Sequence, residues 1–266
     1  MISADQVVNI LGCPVHRMDL QSVTVRMVEM IESGGPHHVA LVAVHTIMNA
    51  RKHRDLLALY GRASLALPDG VSVLMASRLL GKPIRGRVAG TDLLLSFARI
   101  AAAKGYTFYL MGSHPRQVAE SLARENPRLK IVGTFEPPYC DELSENVNSS
   151  IIKEINRANP DVLWVGLGAP KQDRWIAENL GALRVHIAVG IGAAFDFCSG
   201  RLRRAPVWMQ RLSLEWFFRF LMEPKRLFRR YIVEAALFLP LVAIERLLRR
   251  TLAAGGRRAE RSDGER

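Results

Sequence analysis

The sequence predicts an α/β fold with a mainly parallel, doubly wound sheet in two lobes, followed by a helical appendage. Three observations predict it. Helical stretches alternate with short apolar runs over residues 19–189. Those runs are rich in β-branched residues and lack polar alternation, which marks strands covered on both faces. Beyond Phe195 the strand-like runs stop, and Trp, Phe, Leu and Arg dominate.

Each element has a local reason. Residues 19–33 repeat apolar positions at helical spacing, and Gly34-Gly35-Pro36 ends them. A buried strand follows over 37–46, then a helix over 49–60, a short strand over 65–67 and a helix over 71–80 closed by Gly81-Lys82-Pro83. Residues 91–103 read as helix and 106–111 as an aromatic-rich strand. Ser113 or His114 lies near the cap of a helix over 115–125, with Pro115 suited to its first turn. A strand over 129–135 leads to the Pro-rich acidic segment 136–144, the expected boundary between lobes. Helix 145–158, strand 161–166, helix 172–180 and strand 185–189 complete the core, 1–200. Residues 201–253 read as a helical, membrane-associating appendage and 254–266 as a disordered basic tail.

Composition narrows the function classes. The chain has 266 residues, 49% hydrophobic and 23% charged, enough to bury a core without disulfide or metal staples. Its 3 cysteines are scattered and fit no disulfide framework or Cys-rich zinc site, and the histidines lack ligand spacing, so no bound metal is expected. There is no secretory signal pattern, and the longest apolar runs fall well short of the ~20 residues that cross a bilayer. The net charge of +12 sits mainly in the C-terminal quarter, where residues 201–266 hold 16 Lys and Arg against 7 Asp and Glu. Arg226, Arg229 and Arg230 share one helical face, and Arg246, Arg249 and Arg250 repeat the spacing, which suits either a solvated charged face over core aromatics or a face turned to phosphate or anionic lipid. No recognition helix or RNA-binding motif accompanies this charge, which argues against nucleic acid.

In an open α/β sheet, ligands bind beyond the carboxyl ends of the strands. Four loops there draw attention: 67–70, 111–115, 166–173 and 189–197. Asp69, between Pro68 and Gly70, suits a turn or N-cap aspartate, and equally a general base. The 166–173 loop suits a tight turn or an anion cradle assisted by Lys171 and Gln172. Gly190 and Gly192 mark a close backbone approach to a ligand or a neighbouring helix, and Asp196 a cap or a ligand contact. The G-x-G-x-x-G, Walker A and G-x-S-x-G patterns are all absent, so dehydrogenase, P-loop NTPase and serine-esterase readings are not supported.

Together, HTIMNA (45–50), LPDGV (67–71), LLGKPIRGRVAGTDLL (79–94), NPDVLWVGLGAPKQDRWI (159–176) and the run from VGIGAAFDF to LFRRY (189–231) resemble the WecG/TagA/CpsF glycosyltransferase family. The resemblance covers about residues 8–232 and implies a Rossmann-like sheet with a C-terminal appendage. It implies inverting transfer from a UDP-sugar donor to a polyprenyl-diphosphate-linked acceptor, in bacterial surface polysaccharide synthesis. The setting implied is cytoplasmic, peripheral on the anionic inner face of the membrane, with no cofactor or metal and with a capacity to form a homo-oligomer. Family donors include UDP-N-acetylmannosamine, its uronic acid and UDP-glucose. By motif, Asp69 corresponds to the general base and Arg219, Arg226 and Arg229 to diphosphate-binding arginines. Thr46, Asn49, Arg87, Gly90, Asp92, Gln172, Gly190, Gly192 and Asp196 match positions expected to line the substrate pocket. Asp173 stands where the family usually has Glu, and Ser213 where a glycine commonly precedes LEW. A catalytically silent scaffold of a glycan-assembly complex is the alternative.

Overall fold

The computed structural model describes residues 6–138, 143–212 and 214–263; the side chains of Arg211, Arg226, Tyr231, Arg250 and residues 252 onward lie outside that description. Six parallel strands form one sheet in the order β4-β3-β8-β7-β5-β6: β3 (His37–Val42), β4 (Leu65–Pro68), β5 (Thr107–Gly112), β6 (Lys130–Phe135), β7 (Val162–Gly166) and β8 (Ile187–Gly190). The predicted α/β class holds, and one sheet spans the expected lobe boundary. β8 lies between β3 and β7, so strands from both sides of the expected boundary share one ladder. Residues 139–142 of that boundary lie outside the described residues.

Strand alternation explains the layers. On β3, Val39 and Leu41 point to one face and Ala40 and Val42 to the other, all of them buried. The first face is covered by α1 (Leu20–Ser33), α5 (Gly90–Lys104), α6 (Pro115–Glu125) and α9 (Ala194–Cys198). At its centre Trp164, Phe97 and Phe108 are fully buried, with Phe108 edge-on to Trp164 at 5.4 Å between ring centroids. The second face is covered by α2 (Val44–Lys52), α3 (Arg54–Arg62), α4 (Val71–Leu79), α7 (Glu145–Ala158) and α8 (Lys171–Asn179). The helices that follow β3 and β8 thus leave to opposite faces. Between two such neighbouring strands the carboxyl edge opens a crevice, the usual place for a ligand.

Two local expectations are corrected. The strand expected over 37–46 stops at Val42, and the single helix expected over 49–60 is the pair α2 and α3, separated by extended His53. The sheet's edge dictates this. The apolar run goes on past Val42, but there the chain has left the ladder, so the same residues serve as the buried face of α2. The sequence also shows no element before residue 19, where the structure has a hairpin of β1 (Val7–Ile10) and β2 (Cys13–His16). Its two-residue turn places Leu11 and Gly12 at positive φ, 51° and 89°.

The appendage is helical: α10 (Val207–Arg211), α11 (Glu215–Met222), α12 (Pro224–Phe228), a π-turn over Arg229–Val233 and α13 (Glu234–Asp263). α13 runs past residue 253, where disorder is expected, because Ala and Arg favour the helix on both sides of Gly255-Gly256. It folds back against α2 and α4, burying Phe238 and Val242 in the core of the second face. Among the described residues no helix is long and apolar enough to cross a membrane.

Candidate active site

Asp69 follows β4 at the sheet's carboxyl edge. Its N–H donates to the Val42 carbonyl at 3.0 Å, extending the β3–β4 ladder by one residue. Gly70 then turns the chain into α4 at φ 99°, a conformation that needs glycine. No side-chain cap bond closes the start of α4, so Asp69 is not the N-cap that the sequence allows. The Val88 N–H donates to the Pro68 carbonyl at 2.8 Å, laying the segment that carries Arg87 beside it. Burial pushes the half-buried Asp69 carboxyl above its ordinary pKa; the nearby charges of Arg87, Arg230 and Arg219 oppose the shift, and Glu215 reinforces it.

Four ionic side chains tie this region to the appendage. Glu215 accepts from Arg87 Nη2 at 3.2 Å and from Arg204 Nε at 3.0 Å. Asp92, on the first turn of α5, accepts from Arg204 Nη2 at 2.6 Å and lies 3.7 Å from Arg87 Nη2. Burial opposes the Arg204 charge, but its hydrogen bonds to Glu215 and Asp92 outweigh this and hold the guanidinium above its ordinary pKa. Arg204, in Arg204-Ala205-Pro206, and Glu215, in LEW, both lie in the 189–231 run that carries the family resemblance, yet neither is among the site residues that the sequence predicts. Motif membership was their signal; only the fold shows what they touch.

The appendage arginines divide. Arg219 on α11 sits 5.2 Å from the Phe197 ring centroid, and its buried Nε has no hydrogen-bond partner among the described residues. Arg230 is half-buried and its charge reaches Asp69, whereas Arg229, the expected residue, is exposed. Arg226 belongs to α12, but its side chain lies outside the described residues.

The remaining candidates line the same edge or support it. Thr46 is buried on α2, and Asn49, one turn further on, is half-buried with Nδ2 3.1 Å from His45 Nε2. Gln172 is buried, and its Oε1 accepts the Gly168 N–H at 3.1 Å, bracing the loop after β7. Asp196 Oδ1 accepts from the Ser113 hydroxyl at 3.3 Å, joining the ends of β5 and β8. Gly90 and Gly190 are packing positions. A Cβ on Gly90 would stand 2.9 Å from Leu41 Cδ1 and 3.0 Å from the Ile191 carbonyl. On Gly190 it would meet Asp173 Oδ1 at 2.7 Å and Gln172 Nε2 at 2.9 Å. Gly192, at φ 52°, holds the following turn. Asp173 itself is fully buried and accepts from the Tyr60 hydroxyl at 3.0 Å, so it serves the core. We expect Gly190→Ala to lower stability by ~1–3 kcal/mol and to displace Gln172, read as a lower melting temperature and weaker donor binding. A melting temperature matching wild type would show that the Gln172 side chain yields freely.

A cavity of about 430 Å3 lined by His16, Arg26, His37, Tyr60 and Ser64 opens at the opposite, amino end of β3 and β4. Among the described residues no group of three or more His, Cys, Asp or Glu is gathered to hold a metal ion.

A parallel α/β sheet with a half-buried carboxylate at its carboxyl edge, near the charges of three guanidinium groups, defines an open α/β protein of the class that places its ligands at the strand ends. The chain belongs to the glycosyl transferase WecG/TagA/CpsF family, whose model matches residues 8–252. It is 34% identical over 180 residues to the N-acetylglucosaminyldiphosphoundecaprenol N-acetyl-beta-D-mannosaminyltransferase of Bacillus subtilis (strain 168), spanning 66% of this chain and 68% of that protein. The protein of the same name from Bacillus spizizenii is 34% identical over 172 residues, 64% of this chain and 65% of its own length. That from Staphylococcus aureus (strain MW2) is 30% identical over 181 residues, 68% of this chain and 70% of its own.

Proposed function

We propose that this chain transfers a hexose or N-acetylhexosamine, with inversion, from a UDP-sugar to a polyprenyl-diphosphate-linked saccharide in bacterial surface polysaccharide synthesis. The observation that carries this is Asp69 at the strand end, its pKa raised by burial, among Arg87, Arg230 and Arg219. The relatives' names supply the acceptor class. The acceptor hydroxyl attacks the anomeric carbon, its proton passes to the Asp69 carboxylate, and the bond from the anomeric carbon to the diphosphate oxygen breaks to release UDP. Arg219 and Arg230 supply positive charge to the departing diphosphate, the role that a metal serves in other transferases. A UDP-release assay with UDP-glucose, UDP-N-acetylglucosamine, UDP-N-acetylmannosamine and its uronic acid against short polyprenyl-diphosphate sugars tests the reading. Release with one pair supports it; no release and no UDP binding favours the silent scaffold. For active protein, Arg219→Ala and Arg230→Ala are each expected to lower kcat/KM by about 10²-fold, and changes under threefold would remove those residues from the diphosphate site.

The acceptor lipid requires a membrane surface, and the appendage supplies an apolar one. Trp208, Trp216, Phe217, Phe228, Leu237 and Leu248 are all exposed. Basic residues neighbour them in the chain, which suits the anionic inner leaflet and a peripheral, cytoplasmic-side location. A truncation after residue 231 removes Phe238 and Val242 from the core, so point variants on the exposed face are the cleaner test. Ile244→Asp with Leu248→Asp is expected to weaken sedimentation with anionic vesicles at unchanged melting temperature. Undiminished sedimentation would place the contact elsewhere.

A further inference from the structure

α13 is held to the core along one face. Glu234, at its first residue and 9% exposed, lies 3.0 Å from His45 Nδ1 through Oε2. Phe238 and Val242 are fully buried beyond it. Glu245 Oε2 then accepts the Leu11 N–H at 3.0 Å, and Arg249 Nη2 donates to the Asn9 carbonyl at 3.2 Å.

The contact through His45 differs from the others because it continues to Asn49, a residue whose motif position matches the substrate site. His45 Nε2 lies 3.1 Å from Asn49 Nδ2, the i, i+4 partner on α2. A carboxamide nitrogen only donates, so Nε2 must be the bare nitrogen of the ring and the proton must sit on Nδ1. Nδ1–H then donates to Glu234. The buried carboxylate on α13 therefore selects the one neutral tautomer that receives the Asn49 amide, much as an outer carboxylate orients a metal-bound histidine. With the amide held on one side, the Asn49 carboxamide presents its oxygen in a fixed direction.

Resting on the transferase reading above, we propose that His45 is a positioning residue: set by Glu234, it fixes the Asn49 carboxamide for the donor, so that the pocket depends on the seating of α13. His16 offers a comparison: its Nδ1 lies 2.9 Å from the Ala66 N and 3.3 Å from the Ala66 carbonyl, and accepting at the shorter contact places the ring proton on Nε2 when neutral.

Nitrogen-15 NMR of the full chain labelled at histidine, above pH 8, reads both rings, with His45 assigned by its loss in His45→Gln. The expected wild-type result is Nδ1–H for His45 and Nε2–H for His16, with the His45 preference lost in Glu234→Leu. Kinetics with the UDP-sugar that supports turnover supply the second arm. Losing one hydrogen bond that orients the donor is expected to raise donor KM by about tenfold, with kcat within about twofold, in Glu234→Leu and in His45→Phe alike. The double variant should be no worse than either, and Glu234→Gln, whose carboxamide oxygen still accepts Nδ1–H, should restore the wild-type KM. An Nε2–H tautomer at wild-type His45, or single effects that multiply in the double variant, overturns the proposal. A wild-type chain inert toward every donor counts against the transferase reading, and the tautomer arm then decides the relay by itself.

Discussion

Asp69→Asn is expected to lower turnover by about 10³-fold, the scale of a lost general base, while the fold and UDP binding persist. The amide has nearly the shape of the carboxylate but cannot take the acceptor's proton. The same variant should be more stable than wild type at neutral pH. Burial raises the folded-state pKa of Asp69 more than the surrounding arginines lower it, so the folded chain binds that proton more tightly than the unfolded chain. Wild-type stability therefore falls as pH rises from the ordinary carboxylate range through the raised pKa, and the ionised form opposes folding above it. The Asn variant is free of that term. Kinetics at saturating substrates, with melting curves at several pH values, check both halves. The stability gap should close as pH falls below the unfolded carboxylate range. Turnover within tenfold of wild type would rule out Asp69 as the base.

Glu215→Ala should cost about 3 kcal/mol, since removing one partner of a partly buried ionic cluster strands the others. Glu215 is 9% exposed and accepts from two guanidinium groups. Without it, Arg87 and Arg204 share only Asp92, and α11 loses its ionic tie to the core. Because α11 carries Arg219, donor binding should weaken with stability. Glu215→Gln separates the two effects. It keeps one oxygen acceptor and the packing, so about 1 kcal/mol should be lost, but it removes a negative charge that raises the Asp69 pKa. The acid limb of the pH–rate profile should accordingly move to lower pH. An unmoved limb would mean that Glu215 does not act on Asp69 through its charge.

Much of the core was legible because its signals are local. Helix 115–125 is read with its observed limits, since Pro115 starts it and a 3.6-residue apolar period defines its buried face. The strand at Val162–Gly166 is read from an apolar run that only a doubly covered strand explains. The β1–β2 hairpin was not legible: each strand has only four residues, and Leu11 at positive φ is no turn signal. The end of β3 was missed for another reason. The apolar run crosses from strand to helix without a breaker, and its division is made by the sheet's edge.

For the site, the sequence by itself determined the ingredients: Asp69 after a strand, the glycines that let helices approach strand ends, and a basic, aromatic appendage. The motif order determined the family. Tertiary structure alone decided which residues meet. Arg204 and Asp92, 112 positions apart, hydrogen-bond at 2.6 Å, and Glu234 lies 3.0 Å from His45 across 189 positions. It also brought the charge of Arg230 to Asp69 and left Arg229 exposed, a choice set by the path of the turn over Arg229–Val233. Composition and periodicity are properties of neighbours along the chain. An ionic cluster or a histidine tautomer depends on distances of a few ångströms between remote segments, and only the folded packing sets those.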